Sequence, residues 1–284
     1  MILVKLVSHL PFFVLYLISD FLYLLGYYVV RYRRKLVSRN LRNAFPELSE
    51  GTRNEIERAF YRNLCDYAVE TLKLLTIRRG ELGKRMLFTN PEVIEAYYSQ
   101  NRSILYLASH TFNWEWLLSA GNFALPYPVE FIYQRVKANF FNRLSLQCRT
   151  RFGAKSISRK DVARNALRQS SPLRGIALVG DQYPGYGHDK KYQAAFLGQS
   201  TVFFLAINQL AILTQYPVVY FQVHKVRRGH YEAQAIVLGE PPYGRGEHSI
   251  IESYVRAVEK SILDHPSGWL WSHNRWKTRH LRQA

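Results

Sequence analysis

SILYLASHTFNWEWLL, residues 103–118, changes character at its middle. Its first half holds the continuous apolar run Ile104, Leu105, Tyr106, Leu107 and Ala108, which has the length and composition of a strand buried on both faces. The run ends at His110. Residues 113–120 then carry Trp114, Leu117 and Leu118 at helical spacing, with Thr111 or Asn113 available as the cap. Glu115 falls in the first turn of that helix, where the dipole favours a carboxylate and the side chain can turn back toward His110. The two read as a general base, the carboxylate fixing the imidazole tautomer while the ring takes a proton. A hydroxyl supplied by the substrate would make a serine or cysteine nucleophile unnecessary. Alone, H-x-x-x-x-E is equally a strand end followed by a helix cap, so the rest of the chain decides.

Around this stretch strands alternate with helices. Residues 129–133, 175–179, 218–223 and 231–238 read as further strands, and residues 138–152, 161–169, 200–214 and 249–263 as helices. Residues 39–75 read as helical, broken at Phe45-Pro46 and restarted by a capping box Thr52-Arg53-Asn54-Glu55, and Asn90-Pro91-Glu92 opens another helix. The expected fold class is α/β, a mostly parallel sheet covered by helices on both faces. Gly180-Asp181-Gln182 follows the strand at 175–179, and the end of a buried parallel strand is where such folds place ligand groups. Residues 183–199 read as a long loop containing Gly and Tyr.

The chain has 284 residues with 39 Lys+Arg against 21 Asp+Glu, a net charge of +18, so a negatively charged partner is expected. Anionic lipid, an acidic protein and nucleic acid all qualify. No helix-turn-helix, zinc-finger or RNP signature supports the last, and no nucleic-acid partner is expected. Cys65 and Cys148 give neither a disulfide framework nor a ligand spacing, and no metal site is expected. Residues 10–30 contain one charge, Asp20, and would form a helix roughly 31 Å long, enough for a bilayer core. Arg31, Arg33, Arg34 and Lys35 follow, against Lys5 before, which puts the main domain on the cytoplasmic side of a membrane. Asp20 and the tyrosines leave a surface-lying helix open as the alternative to a span. The expected organisation is an N-terminal membrane anchor with its basic flank, residues 1–35, and one catalytic domain, residues 36–284.

Several separated segments resemble the bacterial lipid A late acyltransferases, the lauroyl/myristoyl transferases of lipid A biosynthesis. They are RRKLVSRNLRNAFPELS after the apolar segment, the His110 to Glu115 motif, Arg149-Thr150-Arg151-Phe152-Gly153, and Gly180-Asp181-Gln182 followed by Ala195-Phe196-Leu197-Gly198. PSGWLWSHNRWK, residues 266–277, completes the set. The Asn-Leu-x-x-x-Phe-Pro and Trp-x-Trp-x-His-x-Arg-Trp-Lys patterns are more specific than the His/Glu motif, which glycerolipid acyltransferases share. Many relatives have His-Arg-Arg-Trp-Lys where Asn274 stands here, a minor departure. The resemblance implies a glycerolipid-acyltransferase-like fold and an inner-membrane enzyme that moves a fatty acyl group from acyl carrier protein to a hydroxyl of a lipid A precursor. No cofactor beyond the acyl carrier donor is implied, and a monomer is expected.

His110 as base and Glu115 as its orienting carboxylate are the expected catalytic residues. Arg149, Arg151 or backbone N–H groups at the start of the following helix could stabilise the oxyanion, solvated helix surface being the plain alternative for both arginines. Asp181 and Arg149 are expected at the substrate, and Arg135, after a strand end, is a candidate for a phosphate. His273, Arg275 and Lys277 could meet a headgroup, while Trp269, Trp271 and Trp276 read as structural. Two competing functions remain open: acylation of a lysophospholipid or another lipid acceptor, and a non-catalytic basic binding protein at the membrane.

Overall fold

The computed structural model describes residues 2–135, 138–167, 173–185 and 190–277. The chain begins with helices α1 (Ile2–His9) and α2 (Phe12–Leu24), the latter prolonged by a π-helical turn (Leu25–Val29). Next come α3 (Arg34–Ala44), α4 (Glu50–Lys73), α5 (Arg79–Arg85), strand β1 (Met86–Phe88) and α6 (Glu92–Ser99). The middle of the chain holds β2 (Ile104–Ala108), α7 (Trp114–Ala124), β3 (Val129–Tyr133), α8 (Asn139–Thr150), β4 (Lys155–Ser158), α9 (Val162–Leu167) and β5 (Gly175–Val179). It closes with β6 (Lys191–Phe196), β7 (Gln199–Phe204), α10 (Ala206–Thr214), β8 (Val218–Arg227), β9 (His230–Gly239), α11 (Ser249–Asp264) and a 3₁₀ turn (Pro266–Gly268).

Seven strands form one sheet in the order β1-β9-β8-β2-β5-β3-β4, parallel except for the β8/β9 hairpin, with helices packed on it. The fold is α/β, as the patterning implies. β2 sits at the centre, and its side chains divide between the two cores: Leu105 and Leu107 join one buried cluster, Ile104 and Tyr106 the other. That division is the physical content of a run without polar residues, because both faces of the strand are covered. β2 and β5 pair with Ala108 opposite Val179, so the residues just beyond both strands emerge side by side at the carboxyl end of the sheet.

Four local expectations are corrected. Residues 183–199 are not simply a loop, nor is 200–214 all helix: β6 and β7 make an antiparallel hairpin, and α10 starts only at Ala206. Leu197 and Gly198 turn the hairpin at φ 49° and 69°, and the β-branched and aromatic Thr201, Val202, Phe203 and Phe204 suit a strand better than a helix start. α4 is capped by Ser49, whose hydroxyl accepts from Thr52 N at 3.1 Å, so the box at Thr52 lies inside the first turn. Asn90 does not cap α6; its amide bonds the backbone of Ala235 instead. The helix at 161–169 is seen as Val162–Leu167, its end lying outside the described residues. β1, β4 and α5, all short, were not evident from periodicity.

The N-terminal Asn-Leu-x-x-x-Phe-Pro and C-terminal Trp patterns meet in space. Asn40 Nδ2 donates to the carbonyls of Trp271 and His273 at 2.9 and 3.2 Å, Arg33 donates to the Ser272 carbonyl at 2.9 Å, and Phe45 packs on Trp271. Trp271 in turn packs edge-on against Trp269. The C-terminal segment also pairs with the loop after β2, Phe112 N donating to Gly268 O and Leu270 N to His110 O.

Candidate active site

His110 follows β2 by two residues and Asp181 follows β5 by two, so the parallel register carries them to the same place. His110 Nδ1 lies 2.6 Å from Asp181 Oδ1, and the His110 backbone N–H donates to Oδ2 at 3.0 Å. Trp269 Nε1 donates to the same Oδ2 at 2.7 Å. Asp181 is fully buried, and burial alone would raise its pKa. The opposing charge of His110 and the hydrogen bonds from His110 and Trp269 outweigh that and hold it below the ordinary aspartate value. With a carboxylate against Nδ1, the ring is held as the Nδ1–H tautomer, which leaves Nε2 as the proton-accepting nitrogen.

The surroundings keep the two strand ends fixed. The Tyr254 hydroxyl donates to the Ala108 carbonyl at 2.8 Å and accepts from Gly180 N at 3.1 Å, tying β2 to β5 at the point where both residues leave the sheet. A Cβ at position 180 would come within 2.5 Å of the Ile207 side chain, so glycine lets the chain pass there without displacing it. Ser109 bridges Thr111 and Tyr220, whose hydroxyl meets Ser261.

Glu115 is not the partner of His110, which corrects the pairing inferred from the motif. It is buried in the first turn of α7 and grips Arg149 of α8 bidentately, Arg149 Nε to Oε2 at 2.8 Å and Nη2 to Oε1 at 2.6 Å. Trp114 Nε1 also donates to Oε1 at 3.1 Å. Burial alone would lower the Arg149 pKa, but the charge of Glu115 and its hydrogen bonds raise it, so the guanidinium stays charged. Trp114 stands between the two pairs, its ring edge-on to His110 at 5.1 Å. Asn113, not Thr111, caps α7 by accepting from Trp116 N, and its own amide is anchored on the buried carboxylate of Glu70.

Both His110 and Arg149 line a cavity of about 410 Å³. Beyond them it runs beneath α7, past Leu117, Leu118, Gly121 and Leu125, and is walled by Phe88, Tyr106, Phe131 and Phe221. From Trp114 to Leu125 the helix advances roughly 16 Å, so the cavity is a slot with a polar mouth and an apolar body.

The other sequence candidates fall elsewhere. Arg151 donates to the carbonyls of Leu74 and Ile77 beyond the end of α4 and offers nothing to the cavity. Arg135 is exposed, donates to Asn139 Oδ1 at 3.2 Å and is not among the cavity residues. Arg275 is not at a headgroup surface: it is 1% exposed, donates to the Val202 carbonyl and lies over the Phe203 ring, clamping the hairpin. Burial pushes its pKa down to about 10. His273 stands close enough to His110 and Asp181 to feel their charges, and burial first of all pushes its pKa down to about 4. Trp269, which the sequence pattern marks as packing alone, also belongs to the candidate site through its hydrogen bond to Asp181. Its signal was the indole N–H, a buried donor that must find an acceptor.

The site therefore joins a buried carboxylate and an imidazole at the mouth of an apolar slot. The chain belongs to the bacterial lipid A biosynthesis acyltransferases, whose family model matches residues 1–278. A search among curated proteins found no match.

Proposed function

We propose that the protein transfers a fatty acyl group from acyl carrier protein to a hydroxyl of a lipid A precursor at the cytoplasmic face of the inner membrane. The observation that carries this reading is the slot: an apolar channel ends beside the imidazole of His110, whose Nδ1 is held by the Asp181 carboxylate. The acyl chain lies beneath α7 with its thioester carbonyl at the mouth. His110 Nε2 takes the proton of the acceptor hydroxyl, whose oxygen attacks the thioester carbonyl directly. The tetrahedral oxyanion forms beside Arg149, and its collapse expels the carrier thiolate, which is reprotonated from the imidazolium. Asp181 keeps the ring in the right tautomer and stabilises it while charged. Glu115 holds Arg149 at the slot. The thioester brings the activated group, so the chemistry calls for no metal or cofactor of the enzyme's own. An acidic carrier protein and a phosphorylated glycolipid both suit a chain of net charge +18.

The test is a purified-enzyme assay with acyl-acyl carrier protein and a lipid A precursor bearing a free hydroxyl on a 3-hydroxyacyl chain, read by mass spectrometry. The expected product is the precursor plus one acyl group, lost in His110→Ala. Transfer to a lysophospholipid in preference to the precursor would overturn the choice of acceptor.

A further inference from the structure

Phe12–Val29 is long and apolar enough to cross a bilayer, 18 residues at a mean hydropathy of 1.7. At 1.5 Å per residue that is about 27 Å. Yet α2 and its π-helical extension lie antiparallel along α4 for their whole length, held by polar contacts from one end to the other. Tyr16 donates to Glu70 at 3.0 Å, Ser19 to Asp66 at 2.8 Å, and Asp20 pairs with Arg228 at 2.6 Å. Further along, Arg62 covers the Tyr23 ring, Tyr61 donates to the Tyr32 carbonyl, and Arg34 pairs with Glu57. At the opposite end Lys73 donates to the carbonyls of Ser8 and Leu10, fixing α1 to the tail of α4 as well.

What α4 carries decides the orientation. Glu70, the residue bound by Tyr16, is also bound by Asn113, the cap of the active-site helix α7. A transmembrane α2 would therefore draw Asp66, Glu70, Arg228 and the start of α7 into hydrocarbon, where charged and hydrogen-bonding groups are costly. The face turned away from α4 is a stripe of apolar side chains at three- and four-residue steps: Phe13, Leu17, Phe21, Leu24 and Tyr28, each more than half exposed. Leu3 and Leu6 of α1 are equally exposed. Arg31, Lys35 and Arg39, all exposed, follow it directly. An apolar stripe beside exposed cations suits an anionic leaflet, whereas a second copy of the chain would bring a further +18 of like charge.

We propose that α1 and α2 do not cross the membrane but lie in the plane of an anionic lipid surface, as an interfacial helix pair docked on α4. This assignment is independent of which lipid is acylated. Full-length protein carrying one added cysteine at Leu3, Phe13, Phe21 or Val29, in a Cys65→Ser background that leaves the buried Cys148 in place, is labelled with an environment-sensitive fluorophore. It is bound to phosphatidylethanolamine vesicles containing phosphatidylglycerol, with lipid quenchers placed at shallow or deep positions. Glu95→Cys, exposed on α6, serves as the lipid-free control. All four N-terminal sites are expected to be quenched at one shallow depth and the control not at all. A profile in which Phe21 is deepest and Leu3 and Val29 sit in opposite leaflets would overturn the proposal in favour of a span. Absence of quenching at every site would overturn it in favour of a protein partner on this face.

Discussion

Asp181 Oδ1 lies 2.6 Å from His110 Nδ1, while the Glu115 carboxylate is fully engaged with Arg149 and Trp114. The H-x-x-x-x-E motif is thus two ion pairs side by side, one acting on the imidazole and one on the slot. Each makes a separate prediction.

Replacing His110 by Ala removes the proposed base and also takes the imidazole partner from the buried Asp181, so stability is expected to fall as well, while the ring's opening to the cavity keeps the packing change local. Acyl transfer is expected to fall on the order of a hundredfold or more with the fold intact, as checked by initial rates and circular dichroism.

Glu115 and Arg149 are mutually dependent. Removing either leaves the other's largely buried charge without its ion partner, so Glu115→Ala and Arg149→Ala should each lower stability, and the double variant should cost less than the sum. Denaturant unfolding of the three variants reads the coupling directly. Additive losses would show that the pair does not act as a unit.

Gly121 lines the slot, and a Cβ there would meet Leu125 and Phe88 at 3.7 Å, ordinary contact. Gly121→Ala is expected to be tolerated, whereas Gly121→Leu should shorten the acyl chain the enzyme prefers. Each methylene excluded from the slot forfeits about 0.8 kcal/mol of burial, or roughly fourfold in kcat/KM. Competition between acyl carrier donors of different length measures it.

His273 links stability to pH. Its pKa is about 4 in the folded chain against an ordinary 6.5, so as pH falls through that interval the unfolded chain takes up a proton that the native one refuses. Stability is expected to decline from pH 6.5 to 4, and His273→Asn should flatten that part of the curve. Asp181, whose pKa is also depressed, acts in the same direction at lower pH, its stabilisation held above the ordinary aspartate value and lost as pH falls below it. Thermal midpoints across pH for wild type and His273→Asn separate the two.

The central strand was legible because 104–108 lacks any polar residue and is buried on both faces, a signal that periodicity reads directly. Asn113 as a cap and β5 ending in Gly180-Asp181 were legible for similar local reasons. The partnership of His110 with Asp181 was not. It depends on β5 lying next to β2 with Val179 opposite Ala108, and neither neighbour order nor register is written in a local pattern. Glu115 is close to His110 in sequence, and that nearness suggested a contact which the α7 backbone instead directs toward α8. The hairpin was hidden for a related reason: the apolar run from Val202 to Ile207 crosses the end of β7 into α10 without a break, so nothing in hydropathy marks the change.

Steady-state kinetics of Asp181→Asn beside Glu115→Gln tests the assignment of the base most directly. Asp181→Asn is expected to lose on the order of a hundredfold or more in kcat with KM little changed, and Glu115→Gln to act mainly on KM for the acyl donor. The reverse pattern, near-normal kcat in Asp181→Asn and collapse of kcat in Glu115→Gln, would contradict the His110–Asp181 base.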